Sequence, residues 1–279
     1  MNEANIYLRD LDRRPANYQN LSPISLLERS AGIYRDRTAI IHGNLRYSYS
    51  DFWKRCRKLA SALSRRGIGK GHTVSVMVAN VPALLEAHFG VPMCGAVLNA
   101  INIRLDGPTI GHILDHAEAK ILITDTEFSS VVREALERTR GMPLVVDFDD
   151  TQSDGGERLG TNDYEAFLEE GDEDYEWSLP DDEWDAISLN YTSGTTGNPK
   201  GVVFHHRGAY LAALSNPMMI GLSAESTYLW TLPMFHCNGW CFTWGVSALG
   251  GTHVCLRKFD PGLVFNLISK HGVSHMCGA

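Results

Sequence analysis

Thr192, Ser193, Thr195 and Thr196 put four hydroxyls within nine positions, interleaved with Gly194 and Gly197 and closed by Asn198, Pro199 and Lys200. This is the chemistry of an anion site. Glycines let backbone N–H groups turn toward an anion with no Cβ in the way. The hydroxyls add donors, and a lysine ammonium is a point charge suited to phosphate. The segment has no apolar face, so packing does not account for it. Gly-x4-Gly-Lys-Ser/Thr cannot be fitted to this register, which excludes the Walker loop. A mobile Gly/Ser/Thr linker is the bland alternative. It fits poorly with Pro-Lys-Gly after the strand-like 187–191 and with the lack of low complexity nearby.

A second set of reactive types is the run Pro233, Met234, Phe235, His236, Cys237, Asn238, Gly239, Trp240. Taken alone, a histidine between Phe235 and Cys237 reads as a satisfied core residue, and Trp240 as a core anchor. His236, Cys237 and Cys241 raise the question of zinc, but no second ligand pair follows at a usual spacing.

The run from Tyr191 to Gly201 resembles, at every defined position, the signature phosphate loop of the adenylate-forming acyl-CoA synthetases. That family has relatives among luciferases and peptide-synthetase adenylation domains. Residues 233–240 are similar to the acyl-site motif of the acyl-CoA synthetase branch, and 95–105 (Gly95 to Leu105) to a stretch in its first half. The resemblance runs from about Thr38 to the last residue. It looks most like the short- and medium-chain branch, which includes plant acyl-activating enzymes and bacterial 3-methylmercaptopropionate–CoA ligases, the latter in particular.

The resemblance implies an α/β fold: the N-terminal portion of the large adenylation domain, built as two layered βα subdomains with mostly parallel sheets. It implies a ligase that uses ATP, Mg2+ and coenzyme A to convert a carboxylic acid to an acyl-adenylate and then to a thioester. Thr192, Ser193, Gly194, Thr195, Thr196, Gly197, Asn198, Pro199 and Lys200 would cradle the β- and γ-phosphates, with Thr192 also on magnesium. His236 would contact the α-phosphate and the acyl carboxylate, Gly239 would leave room for the acyl chain, and Trp240 would gate it. A homodimer is implied weakly. The family's adenine motif, metal-binding Glu, ribose-binding Asp, hinge and small C-terminal domain with its catalytic lysine find no match before Ala279. The chain therefore reads as an incomplete adenylation domain of a longer polypeptide. A truncated nucleotide-binding chain without catalysis, and a domain that loads a carrier protein, are the alternatives. Carrier-loading domains lack the His-Cys-Asn-Gly-Trp pattern.

These residues need elements to hold them. Strands are expected at 38–41, 45–47, 74–78, 121–124, 144–147, 187–191, 228–232, 252–256 and 273–276, and helices at 83–90, 108–117, 207–214 and 261–271. Ser48 and Asp51 form a capping box, after which Phe52, Cys56, Leu59 and Leu63 recur at helical spacing until Gly67. Gly95 to Asn102 reads as a helix or a strand pair. Alternating strands and helices predict a largely parallel sheet. Residues 1–185 read as a first α/β part and 186–279 as the start of a second. The acidic stretch 149–185 reads as a solvated excursion, helical only at 164–169. His205, His206 and Arg207 read as helix-start and surface residues, and Trp53, Lys54 and Arg55 as a solvated helix face.

A hydrophobic content of 44% over 279 residues is ample for a packed core. A net charge of -8 argues against general nucleic-acid binding. No apolar run is long enough to span a bilayer, and the N-terminus shows no secretory h-region, so a cytoplasmic location is expected. Six scattered cysteines, with no Cys-x-x-Cys, read as small core residues.

Overall fold

The computed structural model describes residues 5–192 and 199–278. After α1 (Ile24–Ile33) comes a tight hairpin, β1 (Thr38–His42) and β2 (Leu45–Ser48). Ser48 then starts α2 (Tyr49–Ser64): its hydroxyl accepts from the Asp51 N–H, and the Asp51 carboxylate accepts from the Ser48 N–H. β3 (Thr73–Met77), α3 (Pro82–Met93), β4 (Val97–Ala100), α4 (Gly107–His116), β5 (Ala119–Asp125), α5 (Ser129–Arg138) and β6 (Leu144–Phe148) alternate. The pairings among these strands are parallel, since each helix returns the chain to the same end of the sheet.

Short β7 (Asn162–Asp163) and α6 (Tyr164–Glu169) lead to β8 (Ala186–Thr192) and β9 (Lys200–His205), an antiparallel pair in which Thr192 sits opposite Lys200. α7 (His206–Met219), β10 (Thr227–Leu229), the single turn α8 (Cys237–Trp240), α9 (Phe242–Leu249), β11 (Thr252–Val254), α10 (Pro261–His271) and β12 (His275–Met276) follow. The strands form a seven-stranded sheet in the order β7-β6-β5-β3-β4-β8-β9 and a five-stranded sheet in the order β12-β10-β11-β1-β2.

One hydrophobic cluster joins the facing sides of both sheets through α2, α3 and α9. A second lies on the outer face of the larger sheet under α4 and α5, and a third places α10 against the smaller sheet. All twelve residues of α3 are buried, which suits a helix apolar on nearly every side to the middle layer. Gly90 lets α3 meet α2 closely: a Cβ there would lie 2.9 Å from the Cys56 carbonyl oxygen and 2.8 Å from a Leu59 methyl.

The mostly parallel, two-sheet α/β organisation is as expected, but several details differ. The boundary at 185/186 does not separate the sheets. β8 and β9 complete the first sheet, and β1 and β2 belong to the second, because strands far apart in sequence supply each other's missing hydrogen bonds. Residues 95–102 contain a single strand, and α1, α5 and α9 have no counterpart in the sequence reading.

The acidic stretch is not wholly solvated. Tyr164, Phe167 and Leu168 are core, and the Asp150 side chain is buried against His42 and Arg257, partners 108 and 107 residues away. Arg257 also pairs with Asp125 and Glu127, so this cluster ties the smaller sheet to the larger one. Burial raises the Asp150 pKa, but the hydrogen bond from His42, the Gln152 N–H and the Arg257 charge outweigh it and hold the carboxyl down at about 2. Arg55 is not an open surface residue either: it pairs with the buried Glu86, whose other oxygen accepts from the Tyr164 hydroxyl at 2.7 Å. His206 is buried, hydrogen-bonded to Ser22 at 2.9 Å.

Candidate active site

β8 and β9 deliver the hydroxyl-rich loop as the connection of an antiparallel pair. Thr192 and Lys200 are its opposed feet, both exposed. Ser193, Gly194, Thr195, Thr196, Gly197 and Asn198 lie outside the described residues. Tyr191, just before the loop, is held by His116, whose Nδ1 lies 2.7 Å from the Tyr191 hydroxyl, and His112 stacks on His116. Partial burial pushes the Tyr191 phenol up to about 12.

A cavity of about 360 Å³ opens at the carboxyl ends of β4 and β8. Asn190, Tyr191, Thr192 and Pro199 line it together with Ile101, Asn102 and Ile113 and with Phe235, His236 and Cys237. In open α/β sheets ligands bind at this end of the strands. Two other cavities, of about 410 and 440 Å³, lie beside Arg257 and beside Lys70, and neither touches the loop's feet or His236.

The structure thus brings Thr192, Pro199 and His236 to one space. Lys200 stands at the foot of the hairpin rather than in the cavity wall. Gly239 does not line the cavity; it packs on Trp230, where a Cβ would come within 2.6 Å of the ring. Trp240 is no core anchor, being 45% exposed and outside the wall, with its carbonyl accepting from Asn216 Nδ2 at 2.7 Å.

The chain around His236 has an unusual backbone. Five successive residues, Cys237, Asn238, Gly239, Trp240 and Cys241, have φ between 45° and 63°, so α8 winds left-handed. Each non-glycine residue in that region costs about 1–2 kcal/mol, so the turn persists only because its surroundings determine it. Asn238 is fully buried: its Oδ1 accepts from Ser188 Oγ at 2.8 Å and from Asn190 Nδ2 at 2.6 Å. Its Nδ2 lies 3.0 Å from His88 Nε2. His88 Nδ1 lies 2.6 Å from the Leu84 carbonyl, which can only accept, so the proton sits on Nδ1 and Nε2 is the acceptor. Burial pushes the His88 pKa down to about 4 against that hydrogen bond, so the ring is neutral at pH 7.

Upstream, Asn80 Nδ2 donates to the carbonyls of Trp230 and Leu232, and its Oδ1 accepts from the Met234 N–H. Asn80 just before α3 and His88 within it therefore hold the chain on either side of His236. The sequence reading missed Asn80, His88, Ser188 and Asn190. A usable signal was present in β8, where Ser188, Asn190 and Thr192 share one phase of a strand whose other phase is Ile187, Leu189 and Tyr191. That pattern calls for a buried polar partner.

Among the described residues no group of three or more His, Cys, Asp or Glu side chains could hold a metal ion, and no helix is long and apolar enough to cross a membrane.

The chain matches the AMP-binding enzyme family over residues 27–279. It is 47% identical over 283 residues to a peroxisomal acetate/butyrate–CoA ligase of Arabidopsis thaliana, covering 97% of this chain and 50% of that protein. It is 48% identical over 282 residues to an acetate–CoA ligase of Humulus lupulus, again covering 97% and 50%. The crystal structure of an anthranilate–CoA ligase in complex with anthranoyl-AMP superposes with a TM-score of 0.83 at 21% identity, covering 95% of this chain and 51% of that one, a likeness of fold. The chain spans about half the length of the curated relatives it matches.

Proposed function

This chain belongs to the AMP-binding enzyme family, and on that premise we propose that the natural protein is an ATP-dependent acid–CoA ligase acting on a short- or medium-chain carboxylic acid. A carboxylate is a poor acyl donor to a thiol, so it must first be activated. Its oxygen attacks the α-phosphorus of ATP, the bond to pyrophosphate breaks, and an acyl-adenylate results. The coenzyme A thiolate then takes the acyl carbon and AMP leaves. The first step asks the protein for position and charge stabilisation rather than covalent chemistry.

The observation that carries this reading is the cavity lined jointly by Thr192 and Pro199, at the two ends of the hydroxyl-rich loop, and by His236. Thr192 and the loop to Lys200 would bind the departing phosphates, and His236 would steady the carboxylate against the inner phosphorus. Trp240, exposed and outside the cavity lining, would gate the acyl chain. Magnesium bound with the triphosphate would supply further charge neutralisation; the exposed Thr192 hydroxyl fits it, oxygen being the ligand this ion prefers. The names of the relatives, which specify acetate and butyrate, favour small acids, and 3-methylmercaptopropionate is proposed among them. A homodimer and a cytoplasmic location complete the reading; the peroxisomal Arabidopsis relative makes cell fractionation the check on the latter.

The test is exchange of labelled pyrophosphate into ATP by the full-length natural protein, offered acetate, butyrate, 2-methylpropanoate and 3-methylmercaptopropionate in turn. Acid-dependent exchange with at least one is expected. Absence of exchange with every member of a wider acid panel overturns the reading.

A further inference from the structure

Asn238 stands between the two halves of the candidate site. β8 runs directly into the hydroxyl-rich loop, and two of its inward residues, Ser188 and Asn190, end on the Asn238 carboxamide oxygen. The amide nitrogen of the same side chain ends on His88 of α3. The orientation of the amide is determined, because His88 Nε2 can only accept and Ser188 Oγ and Asn190 Nδ2 donate. Asn238 is also the first buried residue of the left-handed turn that begins at Cys237, directly after His236, and both His236 and Cys237 line the cavity. Asparagine tolerates this backbone region better than most residues do. Its side chain here holds three elements at once: α3, β8 and the turn.

We propose that Asn238 is a positioning residue: its buried carboxamide fixes the left-handed turn to β8, so that His236 on the acyl side and the loop on the nucleotide side keep one relative placement. This inference rests on the ligase reading for what His236 does, but not for the link itself. Asn238→Gly is the informative variant. Glycine accepts the same positive φ without strain, so only the amide link is removed. Ser188→Ala, which deletes one donor to the carboxamide and touches neither loop nor cavity wall, is the milder companion should the first variant fold poorly.

Two readouts on the full-length protein decide the matter. The first is the rate at which iodoacetamide labels each cysteine, followed by peptide mass spectrometry. Cys241 closes the turn and is buried, whereas Cys255 is buried in the strand region past β11 and reports global opening. In Asn238→Gly the labelling of Cys241 should rise by about tenfold or more with Cys255 unchanged, the mark of local opening. Ser188→Ala should show the same direction with about threefold change. The second readout is pyrophosphate exchange, in which the KM for the acid should rise about tenfold while that for ATP moves less than about twofold. Equal acceleration at Cys241 and Cys255, or no change at Cys241, overturns the proposal, as does an unchanged acid KM in an active enzyme. A wild type without acid-dependent exchange defeats the ligase reading instead, and the Cys241 result then decides the positioning role by itself.

Discussion

His236 is exposed at the cavity wall, held there by backbone rather than by packing of its ring: its N–H donates to the Pro233 carbonyl at 3.1 Å, and its carbonyl accepts from Gly239 at 2.8 Å. Removing an exposed imidazole leaves the core untouched, so His236→Ala should unfold at the wild-type temperature. If the ring steadies charge at the inner phosphate, kcat/KM for the acid should fall about a hundredfold, roughly 2.7 kcal/mol of barrier. Steady-state kinetics beside a thermal melt checks both halves of that expectation. The same residue scale shows where single-residue reading fails. Arg55 and His206 look like surface residues because their neighbours in sequence are polar. The structure gives them partners from other elements, Glu86 and Ser22.

At the scale of elements, α3 is the template of the site. It is buried along its length, it carries Glu86 to the Arg55–Tyr164 pair, and with Asn80 before it and His88 within it, it grips the chain around His236. Its place depends on Gly90. Gly90→Ala would force α3 away from the backbone of α2, and overpacking of this kind costs about 1–3 kcal/mol. Urea denaturation should show that loss with little change in m-value. An unchanged midpoint would mean that the α2–α3 contact has slack the geometry does not show. Sequence periodicity finds α2, which has a polar face, but it cannot find α9, whose eight residues are almost all buried and leave no contrast to read.

The whole molecule stores an acid sensitivity in three buried histidines, on α3, α7 and β11. Burial lowers the pKa of His88 to about 4, of His206 to about 4 and of His253 to about 3. These folded values lie below the unfolded value of about 6.5, so the unfolded chain binds the extra protons. Their contribution is complete above pH 6.5 and is lost as pH falls from 6.5 toward the folded values, about 4 for His88 and His206 and about 3 for His253. Near pH 5 close to three protons are taken up on unfolding, a slope of about 4 kcal/mol per pH unit. Chemical denaturation at pH 7, 6 and 5 should show stability falling ever more steeply. A flat profile over that range would show that these rings are not buried neutral.

Much of the architecture was legible from residue order alone, and so were the two stretches, ending at Thr192 and beginning at Phe235, that line one cavity. Hydroxyls and glycines after a strand can be read locally as a candidate anion loop, because the donors belong to the loop itself. The alternation of apolar strands with helices specifies a parallel α/β fold, because each strand needs a return crossover. What no local pattern could specify is which strands share a sheet, that Asp150 is matched by His42 and Arg257, and that five residues after His236 wind left-handed. Those features depend on groups brought together from distant parts of the chain. Hydrogen bonds and charges buried out of water must find partners wherever the tertiary fold supplies them.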